Sequence, residues 1–165
     1  MPKKLLLIRH AKSDWDNIHL TDFKRPLNSR GEKNAPEMAL RLKKKSFIPE
    51  QIVSSPALRA ITTAQHFAEV LGIEKKDIIK EMEIYDALPS TLLDVVNNLD
   101  DKSSFTAVFG HNPAITYLVR DLCNSDLENM PTCSMVLIRF PVDNWSLISN
   151  GTGELIFFDY PKSEA

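Results

Sequence analysis

Two histidines and two arginines in this sequence stand where apolar runs end, and together they have the chemistry to handle a phosphoryl group. Arg9-His10 follows Leu5-Leu6-Leu7-Ile8. Arg59 comes shortly after Ile52-Val53 and Ser54-Ser55-Pro56. Gly110-His111 closes the run 105–109. A neutral imidazole is a good nucleophile toward phosphorus and forms a covalent intermediate that water can cleave. The transition state spreads charge over the equatorial oxygens, so fixed cations around it matter more than covalent chemistry. Arginine suits this because its planar fork binds two oxygens and stays charged. A second histidine, when protonated, adds a further donor. Each motif alone has a plainer reading: a strand end, a surface arginine, a helix cap. The same kind of motif at three strand ends is what points to a site.

The elements that must position these residues can be read from the pattern. Leu5 to Ile8, bounded by Lys3-Lys4 and by the polar segment 12–17, reads as a strand buried on both faces. Ile52-Val53 and the run 105–109 read as two more strands. Ser55 is expected as an N-cap with Pro56 at the first helical position, and Asn112-Pro113 repeats the signal. Leu58, Ile61, Ala64, Ala68 and Leu71 form the buried stripe of the first of these helices, and Gly72 ends it. Ile115, Leu118, Val119 and Leu122 give the stripe of the second. In parallel sheets, ligands bind outside the carboxyl ends of the strands. Helix N-termini at that edge present free N–H groups that favour a phosphate.

The remainder completes the alternation. A helix starting near Asn28 or Ser29 carries Ala35, Met38, Ala39 and Leu42 on one face; Pro36 marks either its true first turn or a kink. Lys43-Lys44-Lys45 suits the C-terminal end of its macrodipole. Residues 78–85 read as an extended piece. Pro89-Ser90 opens a helix with Leu92, Val95, Val96 and Leu99 on one face. Residues 135–140 and 155–158 read as the last strands, 11–27 and 127–131 as loops, and Trp145 as a packing residue. The expected fold is an α/β three-layer sandwich, a mainly parallel sheet with helices on both faces.

Composition sets the bounds. The 165 residues suggest one domain, and 43% hydrophobic residues supply a core without a disulfide or metal staple. A formal net charge of -2, from 20 basic and 22 acidic residues, argues against a general nucleic-acid binder. Cys123 and Cys133 are too few for a disulfide scaffold and read as reduced, packed thiols of a cytoplasmic protein. No segment approaches the roughly 20 apolar residues of a membrane span, and the first apolar run is too short for a signal peptide. No metal site is expected, since His19 and His66 form no ligand-spaced motif.

Leu7-Ile8-Arg9-His10-Ala11-Lys12-Ser13, the stretch from Ser54-Ser55-Pro56 through Arg59 to Ala64, and Val108-Phe109-Gly110-His111-Asn112-Pro113 resemble the three signatures of the histidine phosphatase superfamily, which shares the phosphoglycerate mutase-like fold. Asp22-Phe23-Lys24-Arg25-Pro26-Leu27, then Arg30-Gly31, resembles the short SixA-type phosphohistidine phosphatase branch. The resemblance implies His10 as the phosphorylated nucleophile, Arg9 and Arg59 as holders of phosphoryl oxygens, and His111 completing the pocket, with no cofactor. Many relatives use a carboxylate to protonate the leaving oxygen; Asp86 falls at about that place, with Glu83 second, each equally readable as a solvated carboxylate. Phosphohistidine needs less help, because a protonated imidazole departs easily. Ser13 and Lys12 are candidate phosphate contacts. Asp16 stands, with Asn17 beside it, where the mutase-like loop often has Asn, and as an anion it is not expected to touch phosphate. Asp22 and Arg25 are read as an ion pair bracing the loop. The implied substrate is a phosphohistidine protein, with a small phosphate ester as the alternative and a non-catalytic phosphoprotein-binding module as the rival from another class.

Overall fold

The computed structural model describes residues 1–163. Six strands form one sheet in the order β3-β2-β4-β1-β5-β6. They are β1 (Lys3–Arg9), β2 (Gln51–Ser54), β3 (Ile79–Lys80), β4 (Phe105–Gly110), β5 (Met135–Phe140) and β6 (Glu154–Asp159). The β3-β2-β4-β1 half is parallel, whereas β5 runs antiparallel to β1 and to β6. Helices α1 (Ser29–Lys44), α2 (Leu58–Leu71), α3 (Pro89–Asn97) and α4 (Ala114–Cys123) cover the faces. This is the expected mainly parallel α/β sandwich.

Strand β1 lies at the middle of the molecule because its apolar run serves both faces. Leu6 and Ile8 join the core beneath α1 and α2, while Leu5 and Leu7 join the core beneath α3 and α4. All four are fully buried. Successive strand side chains point to opposite faces, so only a run without polar interruption can fill both layers. Trp145 is fully buried in the second core, and its indole N–H donates to the Ser103 carbonyl at 2.9 Å, which satisfies the one polar group of the ring.

The stripes of α1 (Ala35, Met38, Ala39, Leu42) and α4 (Ile115, Leu118, Val119, Leu122) are buried as the periodicity predicts, whereas in α2 Leu58 is exposed at the first turn and in α3 the helix ends at Asn97, before Leu99. The Asn28 side chain caps α1 by accepting the Gly31 N–H. The helix then runs through Pro36 at its middle, so Pro36 is not in its first turn. Gly72 closes α2 in the left-handed conformation, φ 77°, where a side chain would be strained.

Three local expectations are corrected. Helix α2 begins at Leu58 with Ala57 in the capping position, so Ser55 is not its N-cap. Helix α4 begins at Ala114 with Pro113 in that position and no side-chain cap; Asn112 instead accepts the Thr116 hydroxyl at 2.6 Å. The extended piece expected over 78–85 pairs only at Ile79–Lys80 and then turns into a 3-10 helix, Met82–Ile84. Cys123 and Cys133 are both free thiols, and no helix among the described residues is long and apolar enough to cross a membrane.

Candidate active site

Sheet register brings the two histidines together. Arg9 and Gly110 are partners in the parallel β1–β4 pair, so the residues that follow, His10 and His111, leave the sheet at the same height. Their ring centroids are 5.2 Å apart. The neighbouring strand β2 delivers Ser55, whose backbone N–H donates to the Phe109 carbonyl at 3.1 Å. Thr63 of α2 ties the first and second motifs: its hydroxyl accepts the Ala11 N–H at 3.0 Å and donates to the Arg59 carbonyl at 2.7 Å. On the other side, the Cys133 N–H reaches the Arg9 and His10 carbonyls at 3.1 and 3.0 Å. The nucleophile candidate is thus held from three directions before its side chain is considered.

The His10 ring is buried, and its Nδ1 lies 2.8 Å from the Ala11 carbonyl. A carbonyl only accepts, so Nδ1 carries the proton and the lone pair of the neutral ring sits on Nε2. Burial, with smaller contributions from His111, Arg59 and Arg9, pushes the His10 pKa down to about 3, against a weaker opposing effect of the Ala11 hydrogen bond. The ring is therefore neutral around pH 7. His111 is likewise pushed down to about 4, by burial first and then by Arg59. Its Nε2 lies 2.8 Å from Ser55 Oγ, which already accepts the Ala57 N–H at 3.2 Å. Donation from the Ser55 hydroxyl to Nε2 satisfies both groups and leaves the His111 proton on Nδ1.

Both arginines are pinned at their ends. Arg9 Nη1 donates to the Met130 carbonyl at 2.9 Å. Arg59 Nη1 donates to the Asp22 carbonyl at 2.7 Å, and its Nη2 to Asp22 Oδ2 at 3.0 Å. The inner Nε atoms of both arginines, and Nδ1 of His111, are buried without a hydrogen-bond partner. The other such atom among the described residues is the Ser134 hydroxyl. An unpaired buried donor costs about 1–3 kcal/mol, so three of them on one side-chain cluster form a concentrated deficit that an anion would fill.

The loop contributes more than the sequence suggested. Asp22 does pair with Arg25, at 2.9 Å, and it also pairs with Arg59 at 3.0 Å. Tyr85 completes the set by donating its hydroxyl to Asp22 Oδ2 at 2.7 Å, while its ring meets His111 edge-on at 5.7 Å. Neither the Asp22–Arg59 pair nor Tyr85 was anticipated. The signals were present, Asp22 heading its own motif and Tyr85 standing beside Asp86, but no spacing links positions so far apart in the chain. Ser13 is buried, and its hydroxyl accepts a hydrogen bond from Arg25. Lys12 is exposed, and its backbone carbonyl packs so closely on Gly31 that a Cβ there would lie 2.2 Å from it. Asp16 is exposed. Asp86 is exposed with φ 56°, and Glu83 lies along the outer β2–β3 edge with Ile79 and Asp94. His66 binds Glu32 at 2.6 Å across α1 and α2. Among the described residues no group of three His, Cys, Asp or Glu is placed to hold a metal.

The chain is similar to known proteins along its length. A solved structure from Agrobacterium tumefaciens, assigned as a phosphohistidine phosphatase SixA, is 26% identical, with a TM-score of 0.82 over 98% of this chain and 99% of that one. A protein histidine phosphatase SixA complexed with tungstate shares the fold at 22% identity and a TM-score of 0.76, covering 96% and 97% of the two chains. An uncharacterized chloroplastic protein of Arabidopsis thaliana is 27% identical over 151 residues, 87% of this chain and 69% of the relative. The family model of the histidine phosphatase superfamily (branch 1) matches residues 5–87, which include the Arg9-His10 motif, Asp22, Arg59 and Tyr85. With that match spanning half its length, the chain belongs to the histidine phosphatase superfamily.

Proposed function

We propose that this protein is a metal-independent phosphatase that carries the phosphoryl group on His10 and takes it from a phosphohistidine borne by another protein. The observation that carries the reading is the trio of unpartnered buried nitrogens, Arg9 Nε, Arg59 Nε and His111 Nδ1, grouped beside a neutral imidazole. In the first step His10 Nε2 attacks phosphorus, the P–N bond of the substrate breaks, and the departing imidazole keeps its proton. In the second step water attacks, the P–Nε2 bond breaks, and the water proton is released with inorganic phosphate. Arg9 and Arg59 hold the equatorial oxygens, and the His111 Nδ1–H adds a donor.

The leaving group supports the substrate. Asp22, the carboxylate at the pocket, is tied to Arg25, Arg59 and Tyr85 and held well below the usual carboxylate range, so it has no proton to give at neutral pH. Asp86, the candidate acid, is exposed. A pocket so equipped suits a leaving group that departs without a strong acid, which a protonated imidazole does and an alkoxide does not. A protein substrate also fits the exposed apolar side chains of the adjoining segments, Trp15 at 72% exposed and Leu88 at 67%. A cytoplasmic location is part of this reading. The test compares turnover of a phosphorylated histidine-carrier protein with a panel of small phosphate esters. The carrier protein is expected to be turned over at least ~10²-fold more efficiently, the scale that separates a good from a poor leaving group without acid catalysis. Equal efficiency on the esters would overturn the substrate assignment.

A further inference from the structure

We infer that Asp22 is a positioning residue for catalysis, aligning the Arg59 guanidinium for the transferring phosphoryl group; this rests on the function proposed above. The Asp22 carboxylate accepts four hydrogen bonds. Oδ1 takes Arg25 Nε at 3.3 Å and Arg25 Nη2 at 2.9 Å. Oδ2 takes Arg59 Nη2 at 3.0 Å and the Tyr85 hydroxyl at 2.7 Å. The Asp22 backbone carbonyl takes Arg59 Nη1 at 2.7 Å. One residue of the 3-10 turn Asp22–Lys24 thus covers the whole distal edge of the Arg59 fork.

The consequence lies in what is left over. A guanidinium has five donors in one plane, and occupying its distal edge fixes the orientation of the inner edge. In Arg59 that inner edge carries the buried, unpartnered Nε. Arg9 shows the same arrangement, with Nη1 pinned by the Met130 carbonyl and Nε unpartnered. Arg9 is pinned by backbone alone, whereas Arg59 also depends on a side chain at the mouth. The Asp22 carboxylate is half-exposed, with 49% of its side-chain surface accessible, while Arg59 is almost wholly buried. Burial alone would raise the Asp22 pKa, but the hydrogen bonds from Tyr85, Arg25 and Arg59 outweigh it, so the carboxylate stays ionised throughout the working range. Tyr85 joins the same carboxylate to the edge of the His111 ring. Asp22 therefore ties Arg25, Arg59 and Tyr85 together through one carboxylate.

A fixed donor is worth most where charge develops, so alignment is read in kcat and in affinity for a transition-state mimic. The experiment compares the wild type with Asp22→Asn and Tyr85→Phe, measuring kcat and KM on a phosphorylated histidine-carrier protein and the equilibrium affinities of vanadate and inorganic phosphate. Asp22→Asn is expected to lower kcat about 30-fold and to weaken vanadate by a similar factor, with phosphate affinity changed less than about 3-fold. Tyr85→Phe, which removes one of the four hydrogen bonds to the carboxylate and leaves both arginine contacts intact, is expected to lower kcat less than Asp22→Asn does. If Asp22→Asn binds phosphate more tightly and keeps its kcat, the carboxylate is a competitor for Arg59 and the inference is overturned. A lowered melting temperature with kcat and vanadate affinity unchanged makes Asp22 a loop brace and also overturns it. Vanadate and phosphate affinities need no turnover. A wild type that fails to hydrolyse the carrier protein therefore refutes the proposed function, while the binding comparison still decides the role of Asp22.

Discussion

The floor and the rim of this pocket are built on different terms. The floor consists of His10, His111, Arg9 and Arg59, each placed by a strand end or the first turn of the helix after one, with backbone carbonyls holding Arg9 and His10. The rim consists of the segment 14–24 and the residues around Tyr85, joined to the floor through Asp22. Trp15, 72% exposed, stacks on the Arg25 guanidinium 3.5 Å from its ring centroid, and Leu88 is 67% exposed. The difference teaches that, under the proposed function, the floor would supply chemistry common to any phosphoryl group, while the rim would meet whatever carries it. Substitutions in the floor should affect all substrates alike, and those in the rim should discriminate.

The largest effect is expected at His10, the proposed nucleophile. His10→Ala should abolish labelling by a phosphoryl donor and lower turnover by about 10³-fold or more on every substrate, since no second group can form the intermediate. A labelled, active variant would sink the mechanism. Arg59→Ala should reduce kcat/KM by about 10²–10³-fold, again on carrier protein and esters alike, as loss of an aligned donor does elsewhere. Steady-state kinetics on both substrate types checks it; a loss confined to one type would break the floor–rim distinction.

Next is a pH effect on stability. His10 and His111 have folded pKa values of about 3 and about 4, below the ordinary value of 6.5. The unfolded chain therefore binds protons that the folded protein refuses, and stability falls as pH drops from about 6.5 toward those values. Between pH 6.5 and 5 the contribution from His10 amounts to about 2 kcal/mol. Urea melts across this range should show the loss, and His10→Gln should flatten it; parallel slopes in the two proteins would argue that the ring is not neutral when folded.

Smaller effects are expected at the rim. Asp86→Ala should slow ester hydrolysis about 10-fold while changing phosphohistidine hydrolysis less than about 3-fold, because only the alkoxide needs an acid. Equal losses on both would remove the leaving-group argument. Trp15→Ala should raise KM for the carrier protein about 3- to 5-fold and leave ester kinetics unchanged, as for one truncated contact at a protein interface. Identical KM values with and without the indole would remove Trp15 from the protein-facing surface.

The same division explains what could be read from the chain. Strand ends announce themselves: an uninterrupted apolar run predicts a buried strand, and parallel pairing predicts that Arg9-His10 and Gly110-His111 meet. Arg59 follows because a helix start is tied to the strand before it. Ser55 was visible as a polar residue at a helix start, yet its hydroxyl serves His111, since the chain does not become helical until Leu58. Asp22 and Tyr85 could not be joined from the sequence. Their contacts with Arg59 and with each other depend on how a loop and a 3-10 turn fold back over the edge, and neither has a period that fixes where side chains point. The local Asp22–Arg25 pairing, three residues apart, was legible for the opposite reason.

The proton that the Ala11 carbonyl holds on His10 has a thermodynamic consequence. Under the proposed function, with Nδ1 occupied only Nε2 can accept phosphorus, so the phosphoenzyme would be a single isomer. When the donor is also a histidine, the first half-reaction exchanges one phosphorus–nitrogen bond for another of nearly equal energy. On that proposal it would run readily in both directions, and a phosphorylated His10 would return its cargo to the donor. Hydrolysis of the second bond is what makes the cycle one-way, so net dephosphorylation depends on how soon water reaches the phosphoenzyme after the donor protein leaves.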